Sequence, residues 1–316
     1  MPTLLVTGAS GVVGRRLLER VSAAGRSVRV SGRMAPTFLE RPGVTAIATG
    51  PVDGRTDWAA ALDGCDAVVH LAAQVPARGL RAEAFETVND QGTARLVAQA
   101  RAAGVRRFIH LSSVFAVREH AHDAPVDETT APRPVTLYGR SKLAAEAHLR
   151  DFEGEGRKAV VLRPPAVYGP TARGNWRLLL RLAATGLPLP FGGVDNRRSL
   201  IAVDNLASAI THLVTFPEAS FVPGTYMVAD ADTVSLPQIL ALLRAGMGMP
   251  ARLISGPPAL VRGLLAIAGR SRMAPSLLDD LEVDARLFAR TFDWRPEVAA
   301  ADAIRQSGAA FRSGGG

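Results

Sequence analysis

The chain has 316 residues, 47% hydrophobic and 21% charged, a composition that excludes fibrous and disordered classes and points to one large domain with a smaller companion. No run of about 20 apolar residues is present, which excludes a membrane-spanning helix. The net charge of +8 comes from arginines spread singly or in pairs, without a basic run or interleaved aromatics, so a solvated basic surface suited to anionic small ligands is expected and nucleic acid is not.

"TLLVT" reads as a first strand, with no leader-like basic and apolar regions, and runs through "GASGVVG" into a helix from Val12 to about Ala24. "SVRVS" and "VTAIAT" are two further strands, a short helix falls around Trp58 to Leu62, and "DAVVHLA" is a fourth strand. Its single cysteine, Cys65, stands just before; one thiol excludes an internal disulfide and fits a reducing, cytoplasmic setting. A long helix is expected from Glu83 to Ala103. Then come the strand of "VRRFIHLSS", a polar loop, a helix from Tyr138 to Asp151 and a strand through "KAVVLRPPAVYG". Beyond Gly169 the pattern loosens: "GNWRLLLRLAATG" is helical, "GLPLPFGGVDNRRS" is an irregular loop, and "LIAVDNLASAITHLV" is a strand and helix that rejoin the first domain. Short helices dominate from Ser235, "PPALVRGLLAIAGRSR" from Pro257 reads as a docked helix, and residues 313–316 as a disordered tail. The strands are apolar and β-branched throughout, as strands covered on both faces must be, so the class is α/β with a doubly wound parallel sheet. Residues 1–168 are assigned to this domain, with about 200–228 returning to it. Residues 169–199 and 229–312 form a smaller, mainly helical part.

Three signals carry chemistry. Gly8, Gly11 and Gly14 lie directly between the first strand and helix, where glycine lets a pyrophosphate approach the backbone at a helix N-terminus. "LYGRSK" sets Tyr138 and Lys142, one of only two lysines, four apart on one helix face. A phenol must be acidified by about three units, roughly 4 kcal/mol, to act as a base near neutrality, and a cation on the same face favours the phenolate. "HLSS" ends the fifth strand at the carboxyl edge, where such sheets bind ligands. His120 and His122 lack a third ligand at fitting spacing, so no metal is expected.

Thr-Gly-x-x-Gly-x-x-Gly followed by Tyr-x-x-x-Lys resembles the extended branch of the short-chain dehydrogenase/reductases, the NAD-dependent epimerase/dehydratase family, over nearly the whole chain. The resemblance implies a Rossmann domain with a smaller C-terminal substrate domain. It makes Tyr138 the acid/base, Lys142 its tuner, and Ser113, the second serine of "HLSS", the holder of the substrate oxygen. It places Gly8, Ser10, Gly11, Val12, Val13, Gly14, Val52, Leu71, Ala72, Ala73, Asn89, Lys142, Pro165 and Val167 at the cofactor, with Pro51 standing where the family carries an adenine-contacting Asp. "VRVSGR" offers Ser31 and Arg33 and no carboxylate for a ribose 2′-OH, which favours NADP(H) and leaves NAD(H) possible. "NRRSL" is similar to the family's pyrophosphate grip and implies Arg198, with Asn175 and Asn196 beside it, as ligands of a UDP-sugar. Val114 and Phe115 follow Ser113 where dehydratases need an acidic pair. Hydride transfer at sugar C4 is therefore expected, by a 4-ketoreductase or by an epimerase with retained NAD. A reductase of a non-sugar ketone or a non-catalytic dinucleotide-binding protein are the further alternatives. A homodimer through the helices after Asn89 and Tyr138 is a family expectation.

Overall fold

The computed structural model describes residues 3–77, 79–119, 124–257, 259, 261–263 and 274–314. Among the described residues nine strands are formed: β1 (Thr3–Thr7), β2 (Ser27–Gly32), β3 (Val44–Ala48), β4 (Cys65–His70), β5 (Arg107–Leu111), β6 (Lys158–Arg163), β7 (Ala166–Tyr168), β8 (Leu200–Ala202) and β9 (Gly224–Met227). Seven of them make one parallel sheet in the order β3-β2-β1-β4-β5-β6-β9, and β7 and β8 pair separately. The helices are α1 (Val12–Ala23), α2 (Ala59–Leu62), α3 (Glu83–Phe85), α4 (Gly92–Ala102), α5 (Leu137–Phe152), α6 (Asn175–Ala184), α7 (Val203–Thr215), α8 (Leu236–Gly246), α9 (Ala274–Leu278), α10 (Arg286–Phe292) and α11 (Ala300–Arg312).

Alternation along β1 explains the double cover. Leu4 and Val6 pack with Leu17, Leu18, Ile210 and Leu213 of α1 and α7, whereas Leu5 packs with Trp58, Leu96, Leu149 and Phe152 on the other face. Phe288, Phe292 and Trp294 join the first of these cores although they come from the C-terminal third. A separate core gathers Trp176, Leu180, Leu240, Leu243 and Ile304 from α6, α8 and α11.

Two expected elements differ. The strand through "KAVVLRPPAVYG" breaks at Pro164-Pro165, because neither proline can donate to a ladder; β6 stays in the main sheet and β7 leaves it to pair with β8. The helix expected over Glu83 to Ala103 is interrupted by a π-helical turn, Glu86–Gln91, that carries Asn89 inward. His120, His122 and most of the segment from Pro257 to Arg272 lie outside the described residues, as do residues 315 and 316.

Candidate active site

The strand order turns at β1 and β4, and the chain crosses there in opposite directions, which opens a crevice at the carboxyl edge. Gly8 has φ +70°, and a Cβ on it would lie 2.5 Å from the Ala72 nitrogen; one on Gly14 would lie 2.5 Å from the Gly8 carbonyl. The β1–α1 turn therefore packs directly on Leu71–Ala72, and only glycine fits. The Ala72 amide donates to the Thr7 hydroxyl at 3.2 Å. Helix α1 starts at Gly11 with no side-chain cap and no acid in its first turn, so its leading amides, at Val12, Val13 and Gly14, present positive potential without a competing carboxylate. Ser10 lends its carbonyl to Arg15 at 3.0 Å. Val52 lies against Gly92, at the start of α4.

At the end of β2, Ser31 is buried and Arg33 exposed. Arg15 stacks over Phe38, 5.3 Å from the ring centre, on the same rim.

Asn89 is 1% exposed and spends its amide on protein partners: it accepts from the Gln74 amide at 2.6 Å and donates to Gln74 O and Ser141 Oγ. It thereby ties the loop that follows Ala72 and Ala73 to α5.

Ser113 ends the fifth strand's run, and Val114 donates to Pro164 O at 2.9 Å, which lays this segment beside Pro165 to Val167. Thr136 caps α5, so Tyr138 and Lys142 sit on its first turns. Burial pushes the Tyr138 phenol up to about 12, and the neighbouring Ser113 hydroxyl works in the opposite sense. Phe85 and Phe115 meet the Tyr138 ring edge-on at 6.2 and 6.4 Å. In the chain by itself burial is the larger influence on the phenol. Lys142 is 2% exposed and its ammonium reaches His110 Nε2 at 3.5 Å; burial pulls it down to about 8, with Glu146 opposing.

The sequence reading missed the polar chain behind Lys142. Thr7, His70 and His110 are register partners across β1, β4 and β5, and the two imidazoles stack 5.4 Å apart. Glu146 is held by Arg163 at 3.0 and 2.6 Å and by the Ser112 hydroxyl. The signal was present as His70, His110 and Ser112 standing in otherwise apolar strands.

The substrate-side residues are placed differently from one another. Asn175 is exposed at the start of α6. Asn196 is buried, donating to Leu277 O and accepting from the Leu236 amide. Arg198 is 7% exposed and donates to Asp279 O at 2.6 Å and Pro275 O at 3.5 Å. Both side chains tie the approach to β8 to α9. Among the described residues no group of three His, Cys, Asp or Glu side chains could hold a metal ion, and no helix is long and apolar enough to cross a membrane.

The chain has relatives in sequence and in fold. The chain is 28% identical over 316 residues to a UDP-glucose 4-epimerase of Vibrio cholerae, covering 98% of this chain and 95% of that protein. It is 30% identical over 250 residues to the 4-hydroxy-2-methyl-3-oxo-4-farnesyl-3,4-dihydroquinoline-1-oxide ketoreductase of Stigmatella aurantiaca, covering 78% and 73%. The crystal structure of UDP-N-acetylglucosamine 4-epimerase from Bacillus cereus superposes with a TM-score of 0.78 at 18% identity, over 99% of this chain and 100% of that one, and so shares its fold. The model of one family covers residues 4–229, from β1 to just beyond β9, and by that match the chain belongs to the NAD dependent epimerase/dehydratase family.

Proposed function

We propose that this protein reduces a 4-keto group on a UDP-sugar, with NADP(H) as hydride donor, Tyr138 as acid/base, Lys142 as its tuner and Ser113 holding the substrate oxygen. The carrying observation is the meeting of Ser113, just beyond β5, with the first turns of α5, where Tyr138 is followed by the buried Lys142. A ketone gaining hydride at carbon needs a proton at oxygen, which a protonated phenol can supply. An epimerase must first remove a proton from a hydroxyl.

The glycine turn and bare N-terminus of α1 fit a dinucleotide pyrophosphate. Ser31 and Arg33 would take the 2′-phosphate, and Leu71 to Ala73 with Pro165 and Val167 would border the ring. The bound dinucleotide supplies the hydride. Ser113 steadies the carbonyl oxygen, Tyr138 gives it a proton, and Phe85 and Phe115 keep water from the phenol. A UDP group would approach Asn175, Asn196 and Arg198, the last two after release from their carbonyls. Assembly as a homodimer through the helices after Asn89 and Tyr138, a cytoplasmic location, and the division at about 168, 200 and 228 belong to the same proposal.

Two other readings rest on observations. The Vibrio cholerae relative, matched almost end to end, favours an epimerase with retained NAD. The internal bonds of Arg198 and the Phe85–Tyr138–Phe115 cluster favour a ketone that is not a nucleotide sugar, and the Stigmatella relative is a ketoreductase of a farnesyl-bearing dihydroquinoline oxide. Denaturing the purified protein and identifying the released dinucleotide separates the first. Stoichiometric NAD overturns the reductase; an empty site that takes up NADPH supports it. Titration with UDP against an apolar ketone separates the second. Arg33→Ala should weaken NADPH binding about tenfold and leave NADH unchanged, read by cofactor fluorescence.

A further inference from the structure

Strand β5 and helix α5 present polar groups to each other at matched spacing. Two residues along a strand advance about 6.6 Å and four along a helix about 6 Å, so the pair His110 and Ser112 can face the pair Lys142 and Glu146. The contacts follow this match: His110 Nε2 meets the Lys142 ammonium at 3.5 Å, and the Ser112 hydroxyl donates to Glu146. Glu146 already carries two hydrogen bonds from Arg163 of β6. Its charge is matched there, so it is a poor sole counter-ion for Lys142.

The neighbouring His70 is fixed. Thr93 gives its only hydroxyl proton to Asn89 O at 2.6 Å, so His70 Nε2, 3.0 Å from that hydroxyl, must be the donor. His70 Nδ1 then accepts from Thr7 at 2.7 Å. His110 has the opposite arrangement open to it: its Nδ1 is buried with no hydrogen-bond partner among the described residues. A buried ring nitrogen left without a partner calls for a reason, and the reason lies on the other side of the ring. Placing the proton on Nδ1 leaves the Nε2 lone pair aimed at Lys142. An imidazolium here would stand against the ammonium and the stacked ring of His70, so His110 is an acceptor and not an acid.

We infer that His110 is a positioning residue for Lys142: its neutral imidazole accepts from the buried ammonium, keeps it charged, and sets where it stands relative to Tyr138. The groups acting on that ammonium are His110 of β5 and Glu146 of α5, with His70 of β4 stacked on His110 and Arg163 of β6 bonded to Glu146. His148 of α5 acts on His110. The inference rests on the proposed Ser113–Tyr138–Lys142 site only for its kinetic consequence.

The chain's two lysines make the test direct. With 13C-lysine labelling, and Lys158→Arg to assign the pair, the Lys142 midpoint is read in the intact protein without any substrate. His110→Phe keeps the ring against His70 and removes the acceptor; the Lys142 midpoint should fall by about one pH unit. His110→Gln offers an oxygen near the Nε2 position and should restore it to within about 0.3 unit. An unchanged or higher midpoint in His110→Phe overturns the contact. If that variant does not fold, 15N shifts of the wild-type histidines decide: an Nδ1–H tautomer at His110 supports the inference, and an Nε2–H tautomer overturns it. In turnover, His110→Phe should lower kcat about tenfold and move the basic limb of its pH profile downward at constant KM, with His110→Gln rescuing both. A kcat and limb that stay put while the lysine midpoint moves would overturn the catalytic reading and leave the contact standing.

Discussion

Tyr138→Phe removes one oxygen and keeps the ring between Phe85 and Phe115, so packing is conserved while the proposed proton donor is lost. Turnover should fall by about 10²–10⁴ with dinucleotide affinity unchanged, checked by steady-state kinetics beside a binding titration. Lys142 permits a sharper statement, because it is buried and its ammonium is pulled from an ordinary 10.5 to about 8. Between those two values the unfolded chain holds a proton that the folded chain has released, so stability rises as pH climbs from 8 toward 10.5. Below pH 8 the charge stays buried at a cost of about 3 kcal/mol. Lys142→Met should therefore raise Tm by several degrees at pH 7 while lowering turnover, and that gain should vanish near pH 10.5, as differential scanning at the two pH values would show. A fall in Tm at pH 7 would mean that the contact with His110 outweighs the burial.

Helices α8 and α11 cross at two glycines. A Cβ on Gly308 would meet the Leu243 carbonyl, and one on Gly246 the Arg305 carbonyl. Alanine at Gly308 adds about 1 kcal/mol of helix propensity, yet forcing two backbones apart in a packed core costs about 1–3 kcal/mol, so Gly308→Ala should destabilise by up to about 2 kcal/mol. The dinucleotide affinity should not change, since the lost packing lies in the core of Trp176, Leu240 and Ile304; a denaturant midpoint beside a cofactor titration tests both halves. Elements like these differ in how far the sequence declares them. The glycine turn after β1 and the helix of Tyr138 were legible because a local spacing carries the geometry. The break at Pro164-Pro165 was written in the residues, but an uninterrupted apolar run concealed it. The π turn at Asn89 follows no local period. It is set by what Asn89 reaches, Gln74 on one side and Ser141 on the other.

Strand order decides what periodicity cannot. The sheet places His70 beside His110 and lays β6 next to β5, so residues 110, 142, 146 and 163 meet although no short motif joins them. That is why Ser113, Tyr138 and Lys142 could be picked out as candidates from the sequence and the buried polar groups behind them could not. The same arrangement predicts how the whole molecule responds to acid. His70 and His110 are fully buried and neutral, His70 pulled to about 3 and His110 well below its ordinary value, each by desolvation first and the Lys142 charge second. Below an ordinary histidine value of about 6.5 the unfolded chain takes up protons that the folded chain refuses, so stability falls with pH. The two rings together should remove about 4 kcal/mol between pH 7 and pH 5, a large share of a typical total. The lowered carboxyls of Asp127, Asp284 and Glu297 titrate below that window, whereas the raised carboxyls of Asp230, Glu128 and Glu153 work in the opposite sense. Comparison with a variant isolates the rings from that background. His110→Gln should retain about 2 kcal/mol more of its pH 7 stability at pH 5 than wild type does, measured by denaturant unfolding at both values. Equal losses in the two proteins would mean that the ring of His110 becomes protonated in the folded state, which its place between His70 and the Lys142 ammonium does not allow.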